Sequence, residues 1–291
     1  MSLPQDFSHL SETELMRLER EVARQHLNKF PYLAVIWAFT NLAVWLALWP
    51  LVLSGVLPLW AAFPIACMNI SLSYLPSHEA QHDIIAKPGS PLRWLNEAVG
   101  HLSLLPLVLP YRVARLTHLE HHKHTNDEAL DPDYSSHAQG PWHSIWKTIQ
   151  GVQPRTESGL RAYGEALQRL GRPDVILDAI LYEVVYYSIL IALAWNGFAL
   201  EAALIWWLPR HFALIYIRFF LSWAPHHPGN RQGRYRNTRS FRSVLGNIGS
   251  LGMQYHIIHH LHPRIPLYRT PQAYWQLRPL LEARGCDVDA L

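Results

Sequence analysis

Tyr255-His256-Ile257-Ile258-His259-His260-Leu261-His262 carries three imidazoles at the spacing HxxHH and a fourth two residues on. Residues three and four apart on a helix share a face, so His256, His259 and His260 point into one small volume. The same spacing stands at His118-Leu119-Glu120-His121-His122, and His78-Glu79-Ala80-Gln81-His82 adds an i, i+4 pair. In a chain with 18 histidines an isolated HxxxH is a weak signal. Two helices carrying HxxHH independently are rare, and three clusters together describe a metal cage.

The clusters sit between apolar blocks. Residues 32–52 and 57–74 hold no charged residue, and each is long enough to cross a hydrocarbon core of roughly 30 Å. Two further apolar runs cover about 175–197, with Asp178 and Glu183, and 199–224, with Glu201, Arg210 and Arg218. The chain is therefore expected to be an all-α integral membrane protein with four transmembrane helices. Residues 1–30 form an amphipathic N-terminal segment ahead of one membrane domain, 31–291. Within that segment Ser11 and Glu14 are spaced as a capping box, and Leu15, Leu18, Val22 and Leu27 make a stripe for the membrane surface or the rest of the protein.

Charge sets the expected orientation. The short connections Leu53–Val56 and Asn196–Phe198 hold no Lys or Arg. Apart from Arg210 and Arg218 within the fourth run, the basic residues fall before the first span, between Lys87 and Arg172, or after the fourth span. The positive-inside rule puts those three regions, both termini and all three histidine clusters in the cytoplasm. The net charge of +3 then reflects membrane topology and gives no nucleic-acid footprint. The polar start and the length of the first span argue against a cleaved signal peptide. Two cysteines, Cys67 and Cys286, cannot build a disulfide scaffold, and Cys286 reads as a surface thiol.

For the first and second clusters to share a side, residues 91–115, broken by Pro106 and Pro110, must return to the face they left, as a short or re-entrant helix pair. Residues 142–172 read as a polar, amphipathic cytoplasmic stretch. Around the cage, Asp83 is a candidate to orient an imidazole, and His124 and His262, each two residues past its cluster, belong to the rim. His9 and His26 read as solvated, His101 as an interior histidine, and His137 and His143 as non-ligands. Arg210 and Arg218 must face protein or a polar cavity.

Counting donors bears on the metal. Two, three and three imidazoles make eight, and Pro225-His226-His227-Pro228 offers a ninth. That exceeds the four of a single zinc site, so more than one ion is implied. Imidazole suits iron, zinc, copper and nickel, and no clustered thiolates point to Fe–S or haem–thiolate chemistry. An all-imidazole site fed by apolar helices suits two irons that activate O2.

In this combination HxxxH, HxxHH and HxxHH around two pairs of spans resemble the membrane fatty acid desaturase and hydroxylase superfamily, over roughly Tyr32 to the C-terminus. The resemblance implies four transmembrane helices capped by a cytosolic di-iron domain that uses O2 and two electrons on an unactivated C–H. By motif, the implied ligands are His78, His82, His118, His121, His122, His256, His259 and His260. The ninth is His226, in Trp-Ala-Pro-His, with His227 as the alternative. Where some members place an Asn-bound water, Ser222 and Trp223 stand here. Asp131-Pro132-Asp133, whose two carboxylates are further candidates to support the cage, and His259-His260-Leu261-His262-Pro263 look most like bacterial acyl-lipid desaturases and carotenoid-ring hydroxylases. No stretch looks like a fused cytochrome b5, so a separate ferredoxin-like or rubredoxin-like donor is implied.

The expected activity is desaturation of a fatty acyl chain of a lipid. Hydroxylation of a carotenoid ring or another isoprenoid is the alternative. A non-enzymatic membrane metal-binding or transport protein is a remote third, because transport would spread histidines through the spans.

Overall fold

The computed structural model describes residues 7, 9–151, 159–288 and 291. Parts of the N-terminal segment 1–30 and of the polar stretch 142–172 lie outside the described residues. Among those described the protein is helical, with one isolated bridge between Arg239 and Asp287 and no strand.

Four helices are long and apolar enough to cross a membrane. The first is α2 (Tyr32–Leu53), which follows α1 (Glu12–Arg24). The second is continuous in direction but broken at Ser73 into α3 (Leu59–Leu72) and α4 (Tyr74–Gln81). After α5 (Arg93–Ser103), α6 (Tyr111–His124), α7 (Pro141–Gly151) and α8 (Gly159–Arg169) come the third and fourth, α9 (Asp174–Trp195) and α10 (Ala199–His226). Leu177, Ile180, Leu181 and Ile191 of α9 point outward, the pattern of a helix solvated by lipid. Inside, Asn41 and Asn69 pair across α2 and α3, the Asn69 amide donating to the Asn41 backbone and side-chain oxygens at 2.8 and 2.9 Å. Arg210 donates to Glu183 (2.7 Å) and to the Leu107 carbonyl (2.9 Å), and Arg218 donates to Ser135, so neither cation faces lipid.

Residues 91–115 hold one short helix, α5, and only the start of α6, which continues to His124, so the expected helix pair is not contained in that stretch; α5 and α6 hold α4 in place. Tyr111 Oη and the Asn96 amide both donate to the Ala80 carbonyl (2.8 and 3.1 Å), and Ser77 Oγ donates to the Gly100 carbonyl (3.0 Å). Gly100 makes this approach possible. A Cβ there would lie 2.5–2.7 Å from atoms of the Tyr111 ring, and the ring is pinned by the hydrogen bonds just given. Helix propensity returns about 1 kcal/mol to Gly100→Ala, but a clash of this kind costs about 1–3 kcal/mol. A lowered melting temperature in detergent is the expected result, and an unchanged one contradicts this packing.

After α10 the chain passes through α11 (Gly246–Gly249) to α12 (His256–Leu261) and α13 (Thr270–Ala283). In α12 the three histidines face one way, while Ile257, Ile258 and Leu261 are at most 2% exposed in a core shared with α1 and α13. Leu15 and Val22 of α1 join this core with Tyr274, Leu277 and Leu280, so the N-terminal stripe packs on protein and not on a membrane surface. The Ser11–Glu14 capping box starts α1. Three sequence expectations are corrected here. His26 is buried, its Nε2 2.7 Å from Gln276 Oε1, because α1 packs on α13. Cys286 is buried in the same core. His101 keeps a side chain 41% exposed, against Tyr111 and near Glu97, and is not interior.

Candidate metal centre

The three clusters meet at one end of the bundle. His78, on α4, and His82, at its end, join His118 of α6 and His259 of α12 in one group, and His121, His226 and His260 form a second. Within each group every ring offers a nitrogen within 4.8 Å of the others. His122 lies between them: its Nε2 is 3.1 Å from that of His118 and 2.9 Å from that of His259, and its ring stacks on His260 at 4.1 Å. His256 Nε2 is 3.1 Å from His260 Nε2, which adds it to the second group.

Backbone and carboxylate partners fix which ring nitrogen turns inward. Nδ1 of His121 donates to Asp131 Oδ1 (2.8 Å), and Nδ1 of His226 donates to the Asn237 carbonyl (3.1 Å). With the proton on Nδ1, both rings present an Nε2 lone pair to the interior. Those two Nε2 atoms stand 3.2 Å apart. Facing lone pairs at that distance repel, and a cation shared between them turns the repulsion into ligation. The donor set therefore fits metal ions, and imidazole suits iron, zinc, copper and nickel.

Burial, followed by the neighbouring rings, holds His82, His118, His122, His256, His259 and His260 well below the ordinary imidazole value. They are neutral, the form that binds metal. At His121 burial opposes the charge as well, yet the Asp131 carboxylate outweighs it and raises the imidazole. Asp131 also accepts from the backbone N–H of Asn126 and of Asp133, so it is fixed before it meets the ring. Replacing it with Asn keeps the shape but removes the charge, and the outer partner of a ligating histidine is typically worth 10- to 100-fold in metal affinity. Asp131→Asn should lose metal to a chelator at correspondingly lower concentration, and an unaltered competition curve would argue against this role.

Other sequence candidates lie outside the cage. The Asp83 carboxylate is taken by Arg93 and Arg115 and orients no ring; its job is to tie the end of α4 to α5 and α6. His124 faces Glu120 at 3.6 Å, His262 contacts Glu19 at 3.0 Å, and Asp133 accepts from Tyr163. His227 packs on Trp223 while His226 enters the second group, so of the two neighbours only His226 reaches the rings. Three contributors escaped the sequence reading. The Asn237 carbonyl is a backbone atom and leaves no side-chain signal. Thr125, whose hydroxyl donates to the His121 carbonyl, lies 3.4 Å from His260 Nδ1. Glu79, inside the first motif, is 2% exposed and belongs to a cavity.

That cavity, ≈ 630 Å³, runs between α2, α3, α4 and residues 247–271. Ile36, Met68 and Leu33 line it and are also exposed on the outer surface, so it opens sideways between the spans. A smaller polar cleft of ≈ 340 Å³, with His122, His124, Arg234 and His260, reaches the rings from elsewhere.

The fatty acid desaturase family model matches residues 54–289, which include three of the four spans and all nine rings. The chain belongs to the fatty acid desaturase family. An sn-1 oleoyl-lipid 12-desaturase of Anabaena variabilis is 34% identical over 86 residues, 30% of this chain and 22% of the relative. An sn-1 acyl-lipid omega-3 desaturase (ferredoxin) of a Nostoc species is 23% identical over 257 residues, 76% of this chain and 69% of the relative. A beta-carotene ketolase of a Paracoccus species is 29% identical over 250 residues, 79% of this chain and 87% of the relative. This desaturase-family chain is thus an oxidoreductase of a typically di-iron, oxygen-using class, with a histidine cluster able to hold metal.

Proposed function

We propose that the protein oxidises an unactivated C–H of a membrane lipid, and that its first activity is desaturation of a fatty acyl chain. What supports this reading is two groups of buried imidazoles together with an apolar cavity, open to the side of the bundle, whose lining includes Pro76 and Glu79 of the helix that carries His78. From Leu33 to Val44 its wall follows twelve residues of α2, eleven rises of 1.5 Å or roughly 16 Å, a length suited to an extended chain.

In this reading His78, His82, His118, His122 and His259 hold one iron and His121, His226, His256 and His260 the other. Bound iron supplies O2 reduction and hydrogen removal. The chain's own part is to fix the rings through Asp131 and Asn237, to exclude water, and to hold two neighbouring carbons in place. Electrons come from a separate ferredoxin-like or rubredoxin-like protein; the Nostoc relative is a desaturase named for ferredoxin. Residues 1–30 form a cytosolic segment, 31–291 the membrane domain, and the ring cluster and both termini face the cytoplasm, as the distribution of basic residues supports.

A second reading, oxidation of a carotenoid or other isoprenoid ring, is favoured by the ketolase likeness, which spans 87% of that relative. Mass spectrometry of lipids from a carotenoid-producing host, with and without the protein, separates the two. New double bonds in acyl chains support the first reading. Unchanged acyl chains beside newly oxygenated carotenoids replace it with the second, and no change in either class rejects both.

A further inference from the structure

The segment between α10 and α12 is pinned at both ends and bare at its tip. Phe241 and Leu251, 7% and 2% exposed, belong to the main hydrophobic core. Between them the turn is held by hydrogen bonds: the N–H of Ser243 donates to Gln254 Oε1 (2.9 Å), that of Gly246 to the Ser243 carbonyl (3.0 Å) and that of Gly252 to the Asn247 carbonyl (2.7 Å). The tip of this shaped loop carries Val244, fully exposed, with Leu245 at 56% and Ile248 at 90%. Single apolar side chains are ordinary on a protein surface, but three on one tight turn mark a contact.

The foot of the loop stands at the start of the first span. Gly252 packs so closely on Leu267 that a Cβ there would lie 2.7 Å from Leu267 Cδ1, and the next residue, Tyr268, meets the ring of Tyr32 at 5.4 Å. Tyr32 opens α2. Ile248 also lines the sideways cavity together with Leu33 and Ile36, which are themselves exposed on the outer surface of α2. The tip is thus continuous with the lipid-facing surface of a span. Charge agrees: residues 202–281 contain no Asp or Glu, and exposed Arg242, two residues before Val244, has no ion-pair partner among the described residues. A basic residue beside an apolar tip suits anionic headgroups over a hydrocarbon layer. A water-soluble partner seated on the tip would also have to cover the start of α2, where lipid belongs.

We propose that residues 244–248 are a leaflet anchor: Val244, Leu245 and Ile248 enter the bilayer leaflet into which the cavity opens. So placed, the loop forms part of the rim of the mouth, which is bounded by Ile248 as well as by Leu33 and Ile36. A lipid passing this rim keeps its hydrocarbon out of water. The anchor does not depend on which C–H bond is oxidised.

Quenching of a site-specific fluorophore tests it with no need for turnover. A thiol-reactive dye is attached to the full-length protein carrying Val244→Cys or Ile248→Cys, in vesicles of phosphatidylcholine and phosphatidylglycerol, and the unsubstituted chain is labelled in parallel to subtract Cys67 and Cys286. Ile191→Cys, on the outward face of α9, supplies the lipid reference, and Glu128→Cys, on an exposed turn, supplies the water reference. Side chains of an interfacial anchor sit roughly 5–10 Å into the boundary between headgroups and acyl chains. The dyes at 244 and 248 should therefore be quenched by lipids brominated high on the acyl chain at least as strongly as the dye at 191, and should resist aqueous iodide several-fold better than the dye at 128. Iodide quenching equal to that at 128 overturns the proposal. Shielding from both quenchers also overturns it, and assigns the tip to a contact with protein, a second copy of this chain included. The two positions report independently, so a poorly folded variant at one leaves the other decisive.

Discussion

Replacing His259 or His121 with Ala should abolish turnover and remove most bound iron while leaving the protein inserted in the membrane. Each ring belongs to a different group of facing nitrogens, so each variant probes one half of the cage. Truncation takes away an imidazole of the ring cluster and leaves neighbours that lie 2.9–3.2 Å away, such as His122 and His226, facing a gap. Among the described residues the removed rings meet the spans only at His78 and His226, near their ends, so the apolar surfaces that hold the spans in the bilayer are untouched. Iron per protein by elemental analysis, beside turnover and membrane fractionation, gives the readout. Full activity in both variants would remove these residues from the ligand set; loss of the protein from the membrane would instead give the rings a folding role.

The second large effect is expected outside the ring cluster, on α1. Glu19 of α1 is 1% exposed at its side chain and gathers His262 Nε2 (3.0 Å), Tyr235 Oη (2.9 Å), Arg234 (3.6 Å) and Arg284 (3.8 Å). Burial alone would push its carboxyl up, but the His262 and Tyr235 contacts and Arg234 hold it below the usual carboxylate value. Breaking a buried ion cluster by removing one member typically costs 3–5 kcal/mol. Arg284 retains Glu12 at 2.9 Å, so Glu19→Ala should sit near about 3 kcal/mol. A carboxyl with a depressed folded-state value gives stability that is complete above its unfolded value and is lost as pH falls through the folded one. The variant should therefore differ most from wild type at neutral pH and converge with it on acidification. A melting temperature equal to wild type at neutral pH would show that the cluster contributes no net stability.

The sequence made the cage legible because helical spacing alone decides which histidines share a face. HxxHH needs no knowledge of the partner helix to place three rings together, and charge-free runs of about twenty residues are equally local signals. Glu19 and Glu79 were not legible for the opposite reason. Each takes its meaning from residues that lie about 190 to 240 positions away in the chain, Glu19 from Tyr235 and His262, Glu79 from Leu267, and no local pattern encodes those meetings. His26 was misread for the same reason, since its burial depends on α13. Adjacency in sequence makes Asp83 a candidate to orient a ring, but two arginines from α5 and α6 take its carboxylate. His226 and His227 could not be separated by position, and the direction in which α10 ends decides between them.

The sideways mouth between α2 and α3 sets the dimensionality of supply. A molecule that arrives through it never leaves the leaflet, so its effective concentration is a mole fraction among surrounding lipids and not an amount per litre of buffer. Adding inert lipid to a reconstituted sample at constant protein and constant total substrate should slow the reaction, whereas adding buffer should leave it unchanged.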